Sequence, residues 1–185
     1  MWPWGHLAVG YLLYSLWRRR RGSLPAYPEV VIVLFGTQFP DLVDKPLAWD
    51  LGVLPGGRTL AHSAITATLI IAVLYLVVAP RIGRAPVFAF SLGYLSHLVA
   101  DLPFGDLAAG NLTFTTYLAW PLLPPPPYDG PKGFIAHFLA FRLGPYEWFQ
   151  FLLVGLALVL WYLDGFPGWA EFRVGVARLR RALPG

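Results

Sequence analysis

Cysteine is absent from the 185 residues, which excludes disulfides and thiolate metal sites and leaves His, Asp and Glu as the strong ligands. Charge is scarce as well. Charged side chains make up 13% of the chain, against about a quarter in soluble domains, while 57% of residues are hydrophobic. With a mean hydropathy of +0.57, such a chain belongs in lipid. No repeat of fixed period and no long polar stretch divides it, so residues 1–185 are read as a single membrane domain. The N-terminal apolar run carries its charges after it and lacks a small-residue cleavage site, so it is expected to remain as a helix rather than act as a cleaved signal.

The net charge of +4 acquires meaning from where the basic residues fall. Arg18 to Arg21 follow the first apolar run, Arg81 and Arg84 separate two others, and Arg173, Arg178, Arg180 and Arg181 lie near the C-terminus. Short basic patches flanking apolar runs are cytoplasmic anchors under the positive-inside rule, and no nucleic-acid partner is expected.

A bilayer core of about 30 Å takes roughly 17 to 25 helical residues, with shorter runs tolerated inside a bundle. Five runs meet this condition: Trp2 to Trp17, Tyr27 to Val43, Leu60 to Ala79, Ala85 to Leu102 and Tyr146 to Leu163. The expected fold is therefore all-α, a polytopic transmembrane helical bundle of about five spans. Pro40 should break or kink the far end of the second run. Between the last two runs lies a long Pro-rich outer loop, 103–145, with Pro124 to Pro127 in succession and Trp120, Tyr128, Phe134, Phe138 and Phe141 within it. It reads as a lid, with a bare linker as the plainer alternative. Over 169–183, Trp169, Phe172, Val176, Leu179 and Leu183 recur at helical spacing with arginines between, which predicts an interfacial amphipathic helix. An odd number of spans puts all three basic patches on one side, so the N-terminus is expected outside the cytoplasmic membrane and the C-terminus inside.

Ionisable groups in or beside membrane spans are costly and mark functional sites. His6 lies early in the first run, Asp41 and Asp44 end the second, Arg58 and His62 begin the third, and His97 and Asp101 end the fourth. By the alternation of spans all seven fall at the outer side. Spacings of three and four would put each pair on one face wherever the backbone is helical. Individually Asp41 reads equally as a cap or turn residue, and His62 and His97 as capping or hydrogen-bonded bundle residues. His137 has no carboxylate within a helical turn and is not expected to be a ligand.

Three histidines with three carboxylates form a set suited to a divalent metal, zinc first, with manganese or iron as alternatives. Metal-activated water could then hydrolyse a small-molecule or lipid phosphoester, the expected partners being membrane lipid and that substrate. Asp44 or Asp101, if not a ligand, would take the proton of the water, and Arg58, with Lys45 beside it, would bind an anionic oxygen. A proton- or ion-coupled transporter could use the same cluster, although its site should lie near the bilayer midplane.

The strings Gly36-Thr37-Gln38-Phe39-Pro40-Asp41-Leu42-Val43-Asp44-Lys45, Arg58-Thr59-Leu60-Ala61-His62-Ser63 and Gly93-Tyr94-Leu95-Ser96-His97-Leu98-Val99-Ala100-Asp101, preceded by His6, resemble the YdjM-like inner-membrane metal-dependent hydrolases. The resemblance covers residues 1–105, the motif-bearing half. It leaves outside the 103–145 loop, the last span at 146–164 and the interfacial helix. It implies a membrane-embedded helical hydrolase with His6, Asp41, Asp44, His62, His97 and Asp101 as metal ligands. Where the family pattern has a histidine before the arginine, this chain has Gly57-Arg58.

The side assignment has a direct check. Single cysteines at Gly22 and Gly83 should be protected from an impermeant thiol reagent in intact cells, while one at Gly130 should label. Labelling at all three positions would overturn the arrangement.

Overall fold

The computed structural model describes residues 1–127, 130 and 132–182, with backbone only for Phe134 and 177–182. Tyr128 and Leu183, named above, lie outside the described residues. Among those described, every regular element is helical: α1 (Pro3–Arg20), α2 (Tyr27–Lys45), α3 (Ala64–Val73), α4 (Ala79–Ile82), α5 (Arg84–Ala100), α6 (Phe104–Ala108), α7 (Phe134–Leu139), α8 (Pro145–Leu163) and α9 (Trp169–Ala182). A π-helical stretch, Leu74–Val78, joins α3 to α4, giving one rod over Ala64–Ile82.

Local chemistry sets the boundaries. Pro3, Pro28 and Pro145 sit in first turns, where the missing N–H leaves no bond unmade. Glu29 and Glu147 accept hydrogen bonds from the backbone N–H of Ala26 and Gly144 at the starts of α2 and α8. Gly83, at φ 91°, makes the reversal between α4 and α5 that a side chain would resist.

Helix α1 packs against α2, α5 and α8, while the most extensive contact in the molecule is between α2 and α5. That contact depends on two glycines. A Cβ at Gly36 would meet the Phe90 carbonyl oxygen at 2.5 Å, and one at Gly93 would collide with the carbonyl of Val33. Small residues are what let membrane helices approach this closely. Pro40, expected to break or kink the far end of its run, does not break it: it lies inside α2, which continues to Lys45. The residue one turn earlier, whose carbonyl Pro40 leaves without a donor, is Gly36, and the packing against α5 holds the helix through that point.

The pattern of burial is the reverse of a soluble protein. His6, Thr37, Asp41, Asp44, His62, His97, Asp101, Gln150 and Asp164 are buried, whereas Leu69, Leu76, Leu158 and Tyr162 are exposed. Five helical rods run 17 to 19 residues, and two of them, Ala64–Ile82 and Pro145–Leu163, are long and apolar enough to cross a membrane. The other three carry His6, Thr37, Asp41, Asp44 and His97, which lowers their hydropathy. The segment expected as an outer loop is structured in part, with α6, a 3₁₀ turn at Thr113–Ala119 and α7.

Replacing Gly93 by Ala should force α2 and α5 apart at a cost on the order of 1–3 kcal/mol. Thermal unfolding in detergent should show a lowered midpoint for Gly93→Ala and none for Gly155→Ala, whose added Cβ meets nothing within 4 Å. Equal midpoints would contradict the close-approach role.

Candidate metal centre

Four elements deliver the polar groups to one end of the bundle. His6 comes from the first turns of α1, Asp41 and Asp44 from the last turns of α2, and His62 from the turn before α3. His97 lies in the last turn of α5, and Asp101 is its C-cap. His6, His62 and His97 are each 1% exposed or less.

The two histidine rings at the centre are fixed by what their Nδ1 atoms touch. His97 Nδ1 stands 2.6 Å from the carbonyl oxygen of Thr37, and His62 Nδ1 stands 2.8 Å from Asp44 Oδ2. Both partners are acceptors, so each Nδ1 carries the proton and each neutral ring is left with a bare lone pair on Nε2. These two Nε2 atoms face one another at 3.1 Å. Two lone pairs at that distance require a cation or a proton between them. Ligand atoms about 2.1 Å from one metal stand about 3.4 Å apart at tetrahedral angles, so the spacing fits a shared ion.

Other donors turn toward the same space. Asp41 Oδ1 lies 3.5 Å from His62 Nε2 and 3.9 Å from His97 Nε2, and Asp101 Oδ2 lies 3.8 Å from each. His6 stacks on His97 with ring centroids 3.7 Å apart. Its Nε2 is 3.2 Å from Asp101 Oδ1 but off the hydrogen-bonding direction. Both His6 nitrogens and Asp41 Oδ1 are buried without a hydrogen-bond partner. His6, Asp41 and His97 form one group that could hold an ion and His62, His97 and Asp101 another, each with its ligand atoms within 4.8 Å of one another. Cations surround the cluster: Lys45 Nζ is 2.6 Å from Asp41 Oδ2, Arg58 Nη2 is 2.9 Å from Asp101 Oδ2, and the N-terminal ammonium contacts Asp101 Oδ1.

Asp44, expected among the ligands, stands behind them. Its oxygens accept from the backbone N–H of Thr59, Ala61 and His62 at 2.8, 2.8 and 3.1 Å, in addition to the His62 ring. Tyr94 donates to the Ala61 carbonyl at 2.6 Å. The turn that carries His62 is thus held by a carboxylate from α2 and a phenol from α5.

The segment after α5 covers the cluster. Ser63 donates to the Trp120 carbonyl at 2.6 Å, and Tyr117 donates to the Asp101 carbonyl at 3.3 Å. Tyr117 stays a neutral phenol, its pKa pushed up to about 12, mainly by burial. Beside Asp41 lies a small cavity of about 120 Å³ lined by Trp2, Gln38, Lys45, Trp49 and His137. The indole of Trp49 lies where a side chain at Gly57 would begin.

With this geometry in view, a family match extends the resemblance of the first 105 residues. The family described as YdjM inner membrane protein matches residues 1–166. The chain belongs to that family. No curated protein and no solved structure matches it. Membership places the chain among inner membrane proteins and brings the covering segment and α8 within the YdjM match.

The structure brings together His6, Asp41, His62, His97 and Asp101, sets Asp44 one layer back, and puts half-exposed Arg58 against Asp101. Arg58 gets there by a different route from the helical spacing expected for Arg58 and His62, because residues 58–62 are turns and bends. His137 lies apart, its ring 4.7 Å from that of Trp2. Sequence reasoning missed the Thr37 carbonyl, Tyr94, Tyr117 and Gln150. The last carried a visible signal, being the one amide in the Tyr146 to Leu163 run, and its side chain accepts from the backbone N–H of Trp2 at 2.8 Å.

Asp44→Asn should separate an orienting role from ligation. Loss of the orienting partner should weaken metal affinity by about 10- to 100-fold while saturating stoichiometry is retained. Competition against a chelator measures the affinity. An unchanged affinity, or a stoichiometry that drops at saturating metal, would refute the orienting role.

Proposed function

We propose that the chain is a five-span inner membrane hydrolase that uses a divalent metal, zinc first with manganese or iron as alternatives, to cleave a phosphoester at the outer face. The observation that carries this reading is the pair of Nε2 lone pairs at 3.1 Å, both rings tautomerically fixed by acceptors on Nδ1. A metal held by His62, His97 and Asp101, with His6 and Asp41 completing the shell, would supply water of pKa about 7. The position of the cluster at one end of the bundle favours hydrolysis over transport, which needs a midplane site.

The chain's own groups divide the work. Asp101 presents Oδ1 toward His6 and Oδ2 toward His62 and His97, so one oxygen can ligate while the other takes the proton of the attacking water. Arg58, half exposed at the rim, meets the anionic phosphoryl oxygens and neutralises charge as it grows. As the water oxygen bonds to phosphorus, the ester P–O bond breaks, and the leaving alkoxide recovers the proton from Asp101. Lys45, held on Asp41, adds positive charge to the same wall. Tyr117 and the 3₁₀ turn limit bulk water over the centre, consistent with a lid. The sidedness follows the basic patches, with the N-terminus outside and the C-terminus cytoplasmic.

Removing any one of His62, His97 or Asp101 should lower metal content and hydrolysis of a p-nitrophenyl phosphoester together. Metal stoichiometry by mass spectrometry on His62→Ala, His97→Ala and Asp101→Asn, each checked by detergent elution profile, tests this against His137→Ala. Arg58→Lys should retain metal yet lose about 10- to 100-fold in kcat/KM, because a point charge replaces a bidentate fork. Full metal content in the first three variants with loss in His137→Ala would put the centre elsewhere.

A further inference from the structure

We infer that the apolar groove between α1, α3, α5 and α8 holds an acyl chain, so that the phosphoester cleaved is a membrane lipid; the word substrate here rests on the hydrolase reading above. The groove encloses about 710 Å³, within the size range of ligand pockets. Its lining is almost wholly hydrocarbon and aromatic, including Val9, Leu13, Leu92, Leu95 and Phe149. Apart from two tyrosines, its polar side chains are Ser91 and Ser96, and both hydroxyls are spent on carbonyls of their own helix, at 2.8 and 2.7 Å. Such walls offer a guest little hydrogen bonding, which suits an alkyl chain and not a polar molecule.

Position and length identify the occupant further. One end of the groove reaches the metal centre: Met1 lines it while its ammonium contacts Asp101, and Ser96 and Ala100 directly precede His97 and Asp101. From there the groove follows α5 back to Phe88, twelve residues, or about 18 Å at the helical rise. One leaflet of hydrocarbon is about 15 Å deep. A lipid whose phosphoester sits at the centre would therefore lay its chain along this groove within a single leaflet. Leu13, Leu95 and Phe149 are about half exposed, so the groove opens sideways toward lipid. A headgroup entering laterally would meet Arg58 and Asp101 without leaving the membrane surface.

The test uses the full-length protein and a phosphatidic acid bearing a diazirine on its acyl chain. Photolabelling mapped by peptide mass spectrometry should concentrate on 88–100 and 146–153, and unlabelled phosphatidic acid should chase it. Leu95→Trp and Leu13→Trp fill the groove from half-exposed positions and should each cut this labelling about tenfold, whereas Leu76→Trp on the outer face should not. In parallel, KM for tetradecyl p-nitrophenyl phosphate should rise about tenfold in Leu95→Trp while that for the ethyl ester stays unchanged. Failure of the wild type to hydrolyse either ester would sink the hydrolase reading and leave the groove to be judged by its labelling. Unchased label spread evenly over Leu69, Leu76 and Leu158 would mean annular lipid only and would overturn the groove assignment, as would equal KM changes for the two esters.

Discussion

The contact between Gly36 of α2 and Gly93 of α5 is the constraint on which the rest of the structure depends. With no Cβ at either position, the two backbones touch, and the Val33 carbonyl occupies the space a side chain at 93 would need. That approach brings the Thr37 carbonyl within 2.6 Å of His97 Nδ1. One turn further along α2 lies Asp41, and four residues further along α5 lies Asp101. Both then face the space defined by His97 Nε2. A backbone carbonyl is a more rigid partner than a side chain, so the orientation of the His97 ring is inherited from helix packing. The geometry of the candidate metal site and the α2–α5 contact are accordingly one feature.

The second anchor works by a different route. His62 does not belong to a helix, and nothing in its own turn would hold it. Asp44 supplies what regular structure does not, gathering three backbone N–H groups and the imidazole onto one carboxylate. In a low-dielectric interior a fully bonded carboxylate rigidifies its surroundings, whereas a partly bonded one is a liability. Had Asp44 ligated metal, the turn would have lost its acceptor, and the orientation of the His62 ring with it. Second-layer carboxylates behind metal-bound histidines have this function widely, fixing the tautomer and raising the basicity of the ligating nitrogen.

Helical character and the gathering of His6, Asp41, His62, His97 and Asp101 at one end were legible, the first from hydrophobic length and the second from the place of these residues near the ends of the apolar runs. Roles within the cluster were not. Asp41 and Asp44 have the same residue type, three positions apart, and only the path of residues 58–62 decides which faces the histidine cluster and which faces the backbone. Arg58 and His62 share the spacing of a helical pair, yet the chain there is bent, and Arg58 reaches Asp101 instead. Pro40 shows the limit of a local rule, since the hydrogen bond it removes matters less than the packing of α2 on α5. Tyr94 and Tyr117 read as core aromatics in the sequence, and their hydroxyl partners are carbonyls of distant residues that no spacing announces.

Buried charge alone does not distinguish a functional site in this bundle, because the other end has a buried carboxylate too. Asp164 follows α8, 6% exposed, and accepts from Tyr11, Ser15 and Arg19, so both of its oxygens are spent. It ties α1 to α8 and asks for nothing more, as a buried structural ion pair should. The cluster at the His6 end differs in what it leaves unmade. Asp41 Oδ1 and both nitrogens of His6 have no hydrogen-bond partner, and the Nε2 atoms of His62 and His97 oppose one another. Each lone pair among these groups forfeits free energy unless something with positive charge accepts it, while the N–H of a neutral His6 ring wants an acceptor. A fold that gives the buried carboxylate at one end its full set of donors, and leaves the lone pairs of Asp41, His62 and His97 facing one another at the other, has gathered unpaired acceptors where a cation would relieve them. The unpaired acceptors at one end, rather than the presence of His and Asp as such, separate the candidate metal centre from the structural lock at the other.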